Sequence, residues 1–286
     1  FSKDLAGGCS HGRGKTMALG DSRVISSQPK LALRQLGKVF DVQGVKKVAL
    51  HDIDLDVQSG EFVAIVGASG CGKSTLIRIV AGLEAASSGE VLIEGKPVKR
   101  PGNDRGMVFQ KFSLFPWLTV LGNVMFGLQD QFREKKDRAK AALEWVSKVG
   151  LEEYVSYYPN QLSGGMQQRV AIARALAPGP KVLLMDEPFA ALDAQTRKLM
   201  QQHLLEIWRD LGVTVVFITH DLEEAVLLAD RVVLLAPNPG RVATILPIEI
   251  PRTIDGLQRE KYGAVFETQV KNLTGELVGT IAADHE

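Results

Sequence analysis

Gly67-Ala68-Ser69-Gly70-Cys71-Gly72-Lys73-Ser74-Thr75 decides how the rest of this 286-residue chain is read. Two glycines enclose four residues and are followed by Lys and Ser, the pattern of a loop that cradles phosphate groups. Its context fits. Glu61 to Val66 is a short apolar run of the kind expected for a strand buried on both faces, and Lys73 to Gly82 has helical spacing. Glycines let the backbone curl closely around phosphates, so successive N–H groups and the helix N-terminus face one anion. The Lys73 ammonium is placed to reach β and γ phosphates, and the Ser74 hydroxyl is a hard oxygen ligand suited to Mg²⁺. A second glycine-rich stretch, Gly12-Arg13-Gly14-Lys15-Thr16, has Cys9 where the first glycine would stand and no apolar strand leading into it. It reads as tail.

Working outward from the loop, Leu31 to Phe40 and Val48 to Val57 alternate apolar and polar residues, with turns at Gly44 and at Ser59-Gly60, which predicts an antiparallel β layer. Val91 to Ile93 and Met107 to Phe109 are further expected strands. Gly122 to Gly150 favours helix, with Arg133, Glu134, Lys135, Lys136 and Asp137 on a solvated face. After Pro159 the pattern runs helix (Gly165 to Ala177), buried strand (Val182 to Met185), helix (Ala194 to Leu211), strand (Val213 to Thr219), helix (Leu222 to Ala229). Strands alternating with helices imply an α/β fold around a mostly parallel sheet. From Arg231 onward, small strands and a terminal helix are expected. The expected domains are a flexible N-terminal tail (1–30), one large domain (31–262) with a helical subdomain at about 111–165, and a C-terminal tail (263–286).

Bulk numbers exclude several functions. Lys plus Arg total 34 against 33 Asp plus Glu, a net charge of +1 that supplies no broad field for gripping nucleic acid or an anionic bilayer. No apolar run approaches the roughly 18 residues of a membrane-spanning helix, since Val213 to Ile218 is soon followed by His220 and Asp221. The first thirty or so residues lack the apolar core of a secretory signal, so export is not expected. Cys9 and Cys71 sit in unlike contexts, and a disulfide at Cys71 would keep the loop from its ligand; a reducing, cytoplasmic setting is expected.

Lys181-Val182-Leu183-Leu184-Met185-Asp186-Glu187-Pro188 puts two adjacent carboxylates at the end of an apolar strand, the sheet edge where ligands bind. Asp186 is expected to hold Mg²⁺, and Glu187 to poise or deprotonate the water that attacks the γ phosphorus.

Leu162-Ser163-Gly164-Gly165-Met166-Gln167-Gln168-Arg169 resembles the signature motif of the ATP-binding cassette (ABC) family. Met166 stands where Gln is commonest, and the Ser-Gly-Gly donors are intact. The resemblance covers roughly Leu31 to Tyr262 and implies the ABC form of the P-loop NTPase fold. It also implies that Gly67, Ala68, Ser69, Gly70, Cys71, Gly72, Lys73, Ser74 and Thr75 bind ATP with Mg²⁺. Ser163, Gly164 and Gly165 would meet the γ phosphate held by an opposite subunit. Gln110, after Val108-Phe109, looks like the glutamine that senses Mg²⁺ and the attacking water. Ala191-Leu192-Asp193 resembles the D-loop, and His220 the switch histidine that contacts the γ phosphate. Metal ligands by resemblance are Ser74, Gln110 and Asp186; the catalytic set is Glu187, His220 and Gln110. Phe40 is either the aromatic on which adenine stacks or a core residue, and Asp41 to Lys47 looks like an insertion after it. Phe112, Phe115 and Trp117 either line the groove where a permease helix docks or pack the helical lobe.

Within the family, Phe109 to Val120, with Pro239-Gly240-Arg241, Pro247 and Pro251-Arg252, is most similar to importers of nitrate, sulfonate, taurine and related anions. That implies an ATPase at the cytoplasmic face of the cell membrane. Its partners would be a second cassette (a homodimer), permease subunits and, indirectly, a substrate-binding protein, with no nucleic acid. ABC proteins that act on DNA separate the phosphate loop from the signature by a long coiled coil, whereas a single short helical lobe intervenes here. Translation-factor relatives carry two cassettes. Against a non-catalytic regulatory or assembly cassette, of which iron–sulfur assembly ATPases are an example, stand the intact Gln110, Glu187 and His220. An unrelated kinase or GTPase has no use for Leu162 to Arg169.

Overall fold

The computed structural model describes residues 28–250 and 263–282. The expected N-terminal tail, apart from its last residues, and the Pro251-Arg252 pair lie outside the described residues. Two sheets form the frame. The first is antiparallel, in the order β2 (Val45–Val57), β1 (Leu31–Val42), β4 (Ser88–Ile93), β5 (Lys96–Pro97). In the second, β9 (Arg231–Ala236), β3 (Phe62–Gly67), β8 (Thr214–Ile218), β7 (Val182–Asp186) and β6 (Arg105–Val108) run parallel, and β10 (Arg241–Pro247) pairs antiparallel to β9 at the edge.

Both faces of the parallel sheet are covered, so its strands read as unbroken apolar runs. Alternation survives in what each face touches. Phe62, Ala64 and Val66 of β3, Leu183 and Met185 of β7, and Val215 and Phe217 of β8 belong to one buried cluster. Val63, Ile65, Leu184, Val216 and Ile218 belong to the other. The first cluster is completed by α2 (Val120–Gly127), α3 (Lys135–Lys148), α4 (Gly164–Leu176), α5 (Ala194–Leu211) and α6 (Leu222–Leu228). The second is completed by α1 (Lys73–Val80) and the inner face of the antiparallel sheet, including Leu33, Leu36, Leu50 and Ile53. Each fully buried Leu, Ile or Phe contributes about 1.5–3 kcal/mol, and slipping a strand by one residue would exchange its two faces.

Three expectations change in detail. Asp41 to Lys47 is an ordered hairpin tip: Phe40 pairs with Lys47, Asp41 with Lys46 and Val42 with Val45, leaving Gln43-Gly44 as a two-residue turn with φ of 55° and 82°. Both turn residues are left-handed, as a tight hairpin that follows the strand twist requires. The stretch 122–150 divides into α2 and α3, and Arg133 to Asp137 are exposed as expected. Within 263–286, Gly263–Ala282 is one long helix, α7, which buries Phe266 and Leu273 against the first cluster.

The two sheets are tied together at Gly240. Its N–H donates to Ala49 O (3.1 Å), its carbonyl accepts from His51 N (2.9 Å), and a Cβ there would lie 2.2 Å from the Cys71 carbonyl. The phosphate loop is thus wedged between β2 and the chain leading into β10, with no room for a side chain. Gly240→Ala should lower unfolding free energy by about 1–3 kcal/mol, the usual cost of overpacking, measured by urea or thermal denaturation; an unchanged stability would show that this backbone yields freely.

Candidate functional site

β3 ends at Gly67 and α1 begins after Gly72, so 67–72 bridges a strand end to a helix start. Close approach imposes glycine at both ends of the loop. A Cβ at Gly67 would meet Leu235 O at 2.6 Å and Cys71 Sγ at 2.7 Å, and one at Gly72 would meet Leu50 Cδ2 at 2.6 Å. Gly70, at φ +82°, has open space where its side chain would be. Gly72 caps α1 in the left-handed region with no side-chain acceptor, leaving the positive end of the helix to an anion. Lys73 is buried and folds back over the loop, donating to Gly67 O (2.8 Å) and Ala68 O (3.0 Å). Cys71 lies beneath; burial pushes its thiol up against the opposing effect of Lys73, which makes it a packing residue rather than a reactive one.

The carboxylates arrive from β7. Asp186 closes the strand, and the exposed hydroxyl of Ser74 donates to its Oδ1 at 3.1 Å. Burial pushes the Asp186 carboxyl up, opposed by the Ser74 hydrogen bond, while the charge of Glu187 adds to the rise. Glu187 follows with φ 46°, a left-handed conformation costing a non-glycine residue about 1–2 kcal/mol. That turn sends its side chain away from Asp186 to the loops on either side. Gln110 Nε2, from the loop after β6, donates to Glu187 Oε2 at 3.3 Å, and His220 Nδ1, from the loop after β8, lies 3.2 Å from the same oxygen. The contact is a hydrogen bond from His220 in the tautomer that carries its proton on Nδ1, since an ionised carboxylate only accepts.

These residues fit the expected ligands. Cβ exclusion packs Gly67 and Gly72 tightly against Leu235, Cys71 and Leu50 while Gly70 faces open space, and Ser74 and Asp186 form a hard-oxygen pair suited to Mg²⁺. Among the described residues no group of three or more His, Cys, Asp or Glu is placed to hold a metal alone. A magnesium ion here would share its coordination with the phosphates.

Ser163, Gly164 and Gly165 stand apart from this cluster. Ser163 caps α4, accepting from Met166 N at 3.3 Å, and is exposed. A Cβ at Gly165 would lie 2.5 Å from Thr196 Cγ2 and one at Gly164 3.3 Å from Leu192 Cδ2, so the start of α4 rests on the first turn of α5 and the loop before it. Among the described residues, no hydrogen bond or ion pair joins 163–165 to the phosphate loop, Asp186 or Glu187. Phe40 is half-buried in β1, belongs to neither apolar cluster, and has the Lys38 ammonium 4.7 Å from its ring centre. Phe112 packs on the first cluster, while Trp117 is 69% exposed beside Phe115, their ring centres 5.4 Å apart.

Sequence reading missed Phe126 and Arg174. Phe126, on α2, has its ring centre 4.4 Å from that of Phe115, the two rings tilted to each other, and extends the aromatic surface; an apolar residue beside Gly127 in a helix that is mostly apolar carries no signal of its own. Arg174 lies on the buried side of α4 and donates to Ser113 O (2.8 Å) and Phe112 O (3.4 Å), with its guanidinium 5.5 Å from the Phe115 ring.

A model of the ABC transporter family matches residues 50–190. An ABC transporter ATP-binding protein of Methanocaldococcus jannaschii is 52% identical over 226 residues, covering 79% of this chain and 85% of that protein. The chain belongs to the ABC transporter family. A nitrate import ATP-binding protein of Synechocystis is 51% identical over 221 residues, 77% of this cassette and 83% of that protein. A bicarbonate transport ATP-binding protein of Synechococcus elongatus is 44% identical over 252 residues, 87% of this chain but 37% of that one. Among solved structures, a dimeric ATP-binding cassette in a post-hydrolysis state with ADP and Pi superposes with TM-score 0.68 at 36% identity, covering 77% of this chain and all of that one. Part of an ABC transporter complex from Clostridium perfringens gives TM-score 0.70 at 28% identity, over 86% and 96% of the two chains. The cassette is an α/β ATPase subunit, and among the described residues no helix is long and apolar enough to cross a membrane.

Lys73→Ala should weaken ATP binding by about ten- to a hundredfold, the value of a charge-assisted hydrogen bond in a shielded site, read by titration with a fluorescent nucleotide. An unaltered affinity would remove Lys73 from the phosphate site.

Proposed function

We propose that this cassette powers the import of a small organic or inorganic anion such as nitrate, sulfonate or taurine, working as a homodimer beneath permease subunits. The observation that carries the hydrolytic part is the convergence of Gln110 and His220 on one oxygen of Glu187, next to the Ser74–Asp186 pair. The anion rests on the nitrate import and bicarbonate transport relatives together with the Phe109 to Val120 segment.

In this reading, residues 67–75 wrap the phosphates and Phe40 carries the adenine. Ser74, Asp186 and Gln110 hold Mg²⁺, which neutralises phosphate charge when bound. Glu187 Oε2 takes the proton of the attacking water, Gln110 orients that water, and His220 turns its ring toward the γ phosphate. Ser163, Gly164 and Gly165 serve the ATP of the second copy. Their separation from the Lys73 loop within one chain favours this, as do the dimeric cassettes among similar structures. Residues 31–262 form the cassette, with 111–165 as the lobe that meets the permease.

Phe115, Trp117 and Phe126 supply the docking face, an aromatic patch with Trp117 and Phe126 exposed, of the kind that anchors a partner. The cassette would then sit at the cytoplasmic face of the membrane, and a substrate-binding protein would choose the cargo without touching this chain.

Glu187→Gln should retain ATP affinity within about twofold while turnover falls by about a hundredfold or more, the usual value of a lost general base, and should trap an ATP-bound dimer visible by size exclusion. Wild-type hydrolysis by this variant would overturn the role of Glu187. Trp117→Ala with Phe126→Ala should leave basal ATPase unchanged and reduce recovery of the permease in membrane pull-downs; undiminished recovery would place the docking face elsewhere.

A further inference from the structure

We propose that Glu224 is a positioning residue: its buried carboxyl group, gripped by Gln201 and Thr219, fixes the turn that aims His220 at Glu187. The inference rests on the reading of Glu187 and His220 as the hydrolytic pair.

His220 has its side chain largely exposed and, apart from its contact with Glu187, takes its direction from its neighbours. Those neighbours are held on both sides. Thr219 N–H donates to Ile65 O (3.3 Å), fastening the turn to β3. The Thr219 hydroxyl works in both directions, donating to Glu224 Oε2 (2.5 Å) and accepting from Asp221 N (3.0 Å). Asp221 in turn accepts from Glu224 N at 3.1 Å and caps α6. The other carboxyl oxygen of Glu224 accepts from Gln201 Nε2 at 2.9 Å, which brings in α5.

Arg197 strengthens the link. It stands four residues before Gln201, so both lie on one face of α5. Arg197 Nη2 donates to Leu192 O (2.9 Å) and Nη1 approaches Asp221 Oδ2 (3.9 Å). One helix face therefore sets the loop at Leu192 and the turn bearing His220 relative to each other.

Cost argues that the acid is present for geometry. Glu224, Gln201 and Thr219 are all buried, and burial pushes the Glu224 carboxyl up, opposed by its two hydrogen bonds. Asp221 already caps α6 without it. An apolar side chain of similar size would bury at lower cost, but it could not fix the rotamer of Thr219 from one side and engage α5 from the other.

The test compares Thr219→Val, Gln201→Met and the control Thr219→Ser with wild type and Glu187→Gln, measuring ATP hydrolysis per titrated nucleotide-binding site. Displacing a reacting group by about an ångström costs up to a hundredfold, so kcat should fall about tenfold or more in Thr219→Val and Gln201→Met. KM and nucleotide affinity should stay within about twofold of wild type, and Thr219→Ser, which keeps the hydroxyl, should keep wild-type turnover within the same margin. A lower melting temperature with unchanged kcat per site would reduce the network to fold support and overturn the proposal, as would a raised KM at constant kcat. Should Thr219→Val fail to fold, Gln201→Met decides, because it leaves the turn's own hydrogen bonds intact. Wild-type turnover in Glu187→Gln would sink the reading of the site itself; an inactive Glu187→Gln beside fully active Thr219→Val and Gln201→Met would sink the positioning role alone.

Discussion

Ile65, Ile218 and Asp186 stand side by side across β3, β8 and β7, and this register determines where the reactive groups emerge. One residue further along β8 and β7 stand Thr219 and Glu187, whose N–H groups donate to Ile65 O and Ile218 O at 3.3 and 3.0 Å. The ladder thus continues past the strand ends and carries the first residue of each functional loop. Because alternate side chains serve two different apolar clusters, a one-residue slip of β7 would exchange Leu183 and Met185 with Leu184 and also carry Asp186 to the wrong face. The packing that stabilises the sheet and the placing of the carboxylates are the same requirement.

The polar groups delivered to this edge satisfy one another. Lys73 is held by carbonyls of its own loop, Ser74 by Asp186, and Glu187 by Gln110 and His220. An incoming nucleotide therefore exchanges existing hydrogen bonds for new ones, and such exchanges are worth only about 0.5–1.5 kcal/mol each. The gain comes from charge. Phosphates offer the Lys73 ammonium a full negative charge in place of two carbonyl dipoles, adding Coulomb attraction to bonds that are already charge-assisted on the donor side. Glu187 adds a second bias, since its left-handed backbone favours any rearrangement that relaxes it.

How much was legible in the sequence follows from the range of each interaction. The loop 67–75, the strand ending at Asp186 and the cap at Ser163 are local patterns, and the structure places all three at strand or helix ends as expected. The Asp41 to Lys47 stretch is rich in charge and carries no strand signal of its own; only the pairing of Phe40 with Lys47 identifies it as the tip of a hairpin. Gly240 looked like a mark of kinship, whereas its need for glycine arises from a carbonyl 169 positions earlier, at Cys71. Glu224 and Gln201 read as ordinary members of helical surfaces, and nothing in their spacing announces that two helices turn them toward each other.

α4 gives the cassette a physical link between its two distant surfaces. Its thirteen residues span about 20 Å at 1.5 Å each. At one end Ser163 begins the helix on the surface, with Gly164 and Gly165 against Leu192 and Thr196. Toward the other end Arg174 grips the carbonyls of Phe112 and Ser113 and lies over the Phe115 ring, which meets Trp117 and Phe126 in tilted contacts. A helix packed along its length by Val170, Ile172 and Leu176 resists bending, so a displacement imposed at Ser163 would be carried toward the aromatic face through Arg174. The cation contributes direction as well as strength: its guanidinium fork fixes two successive carbonyls at once, so the segment between Gln110 and Trp117 cannot lag behind the helix without breaking both bonds.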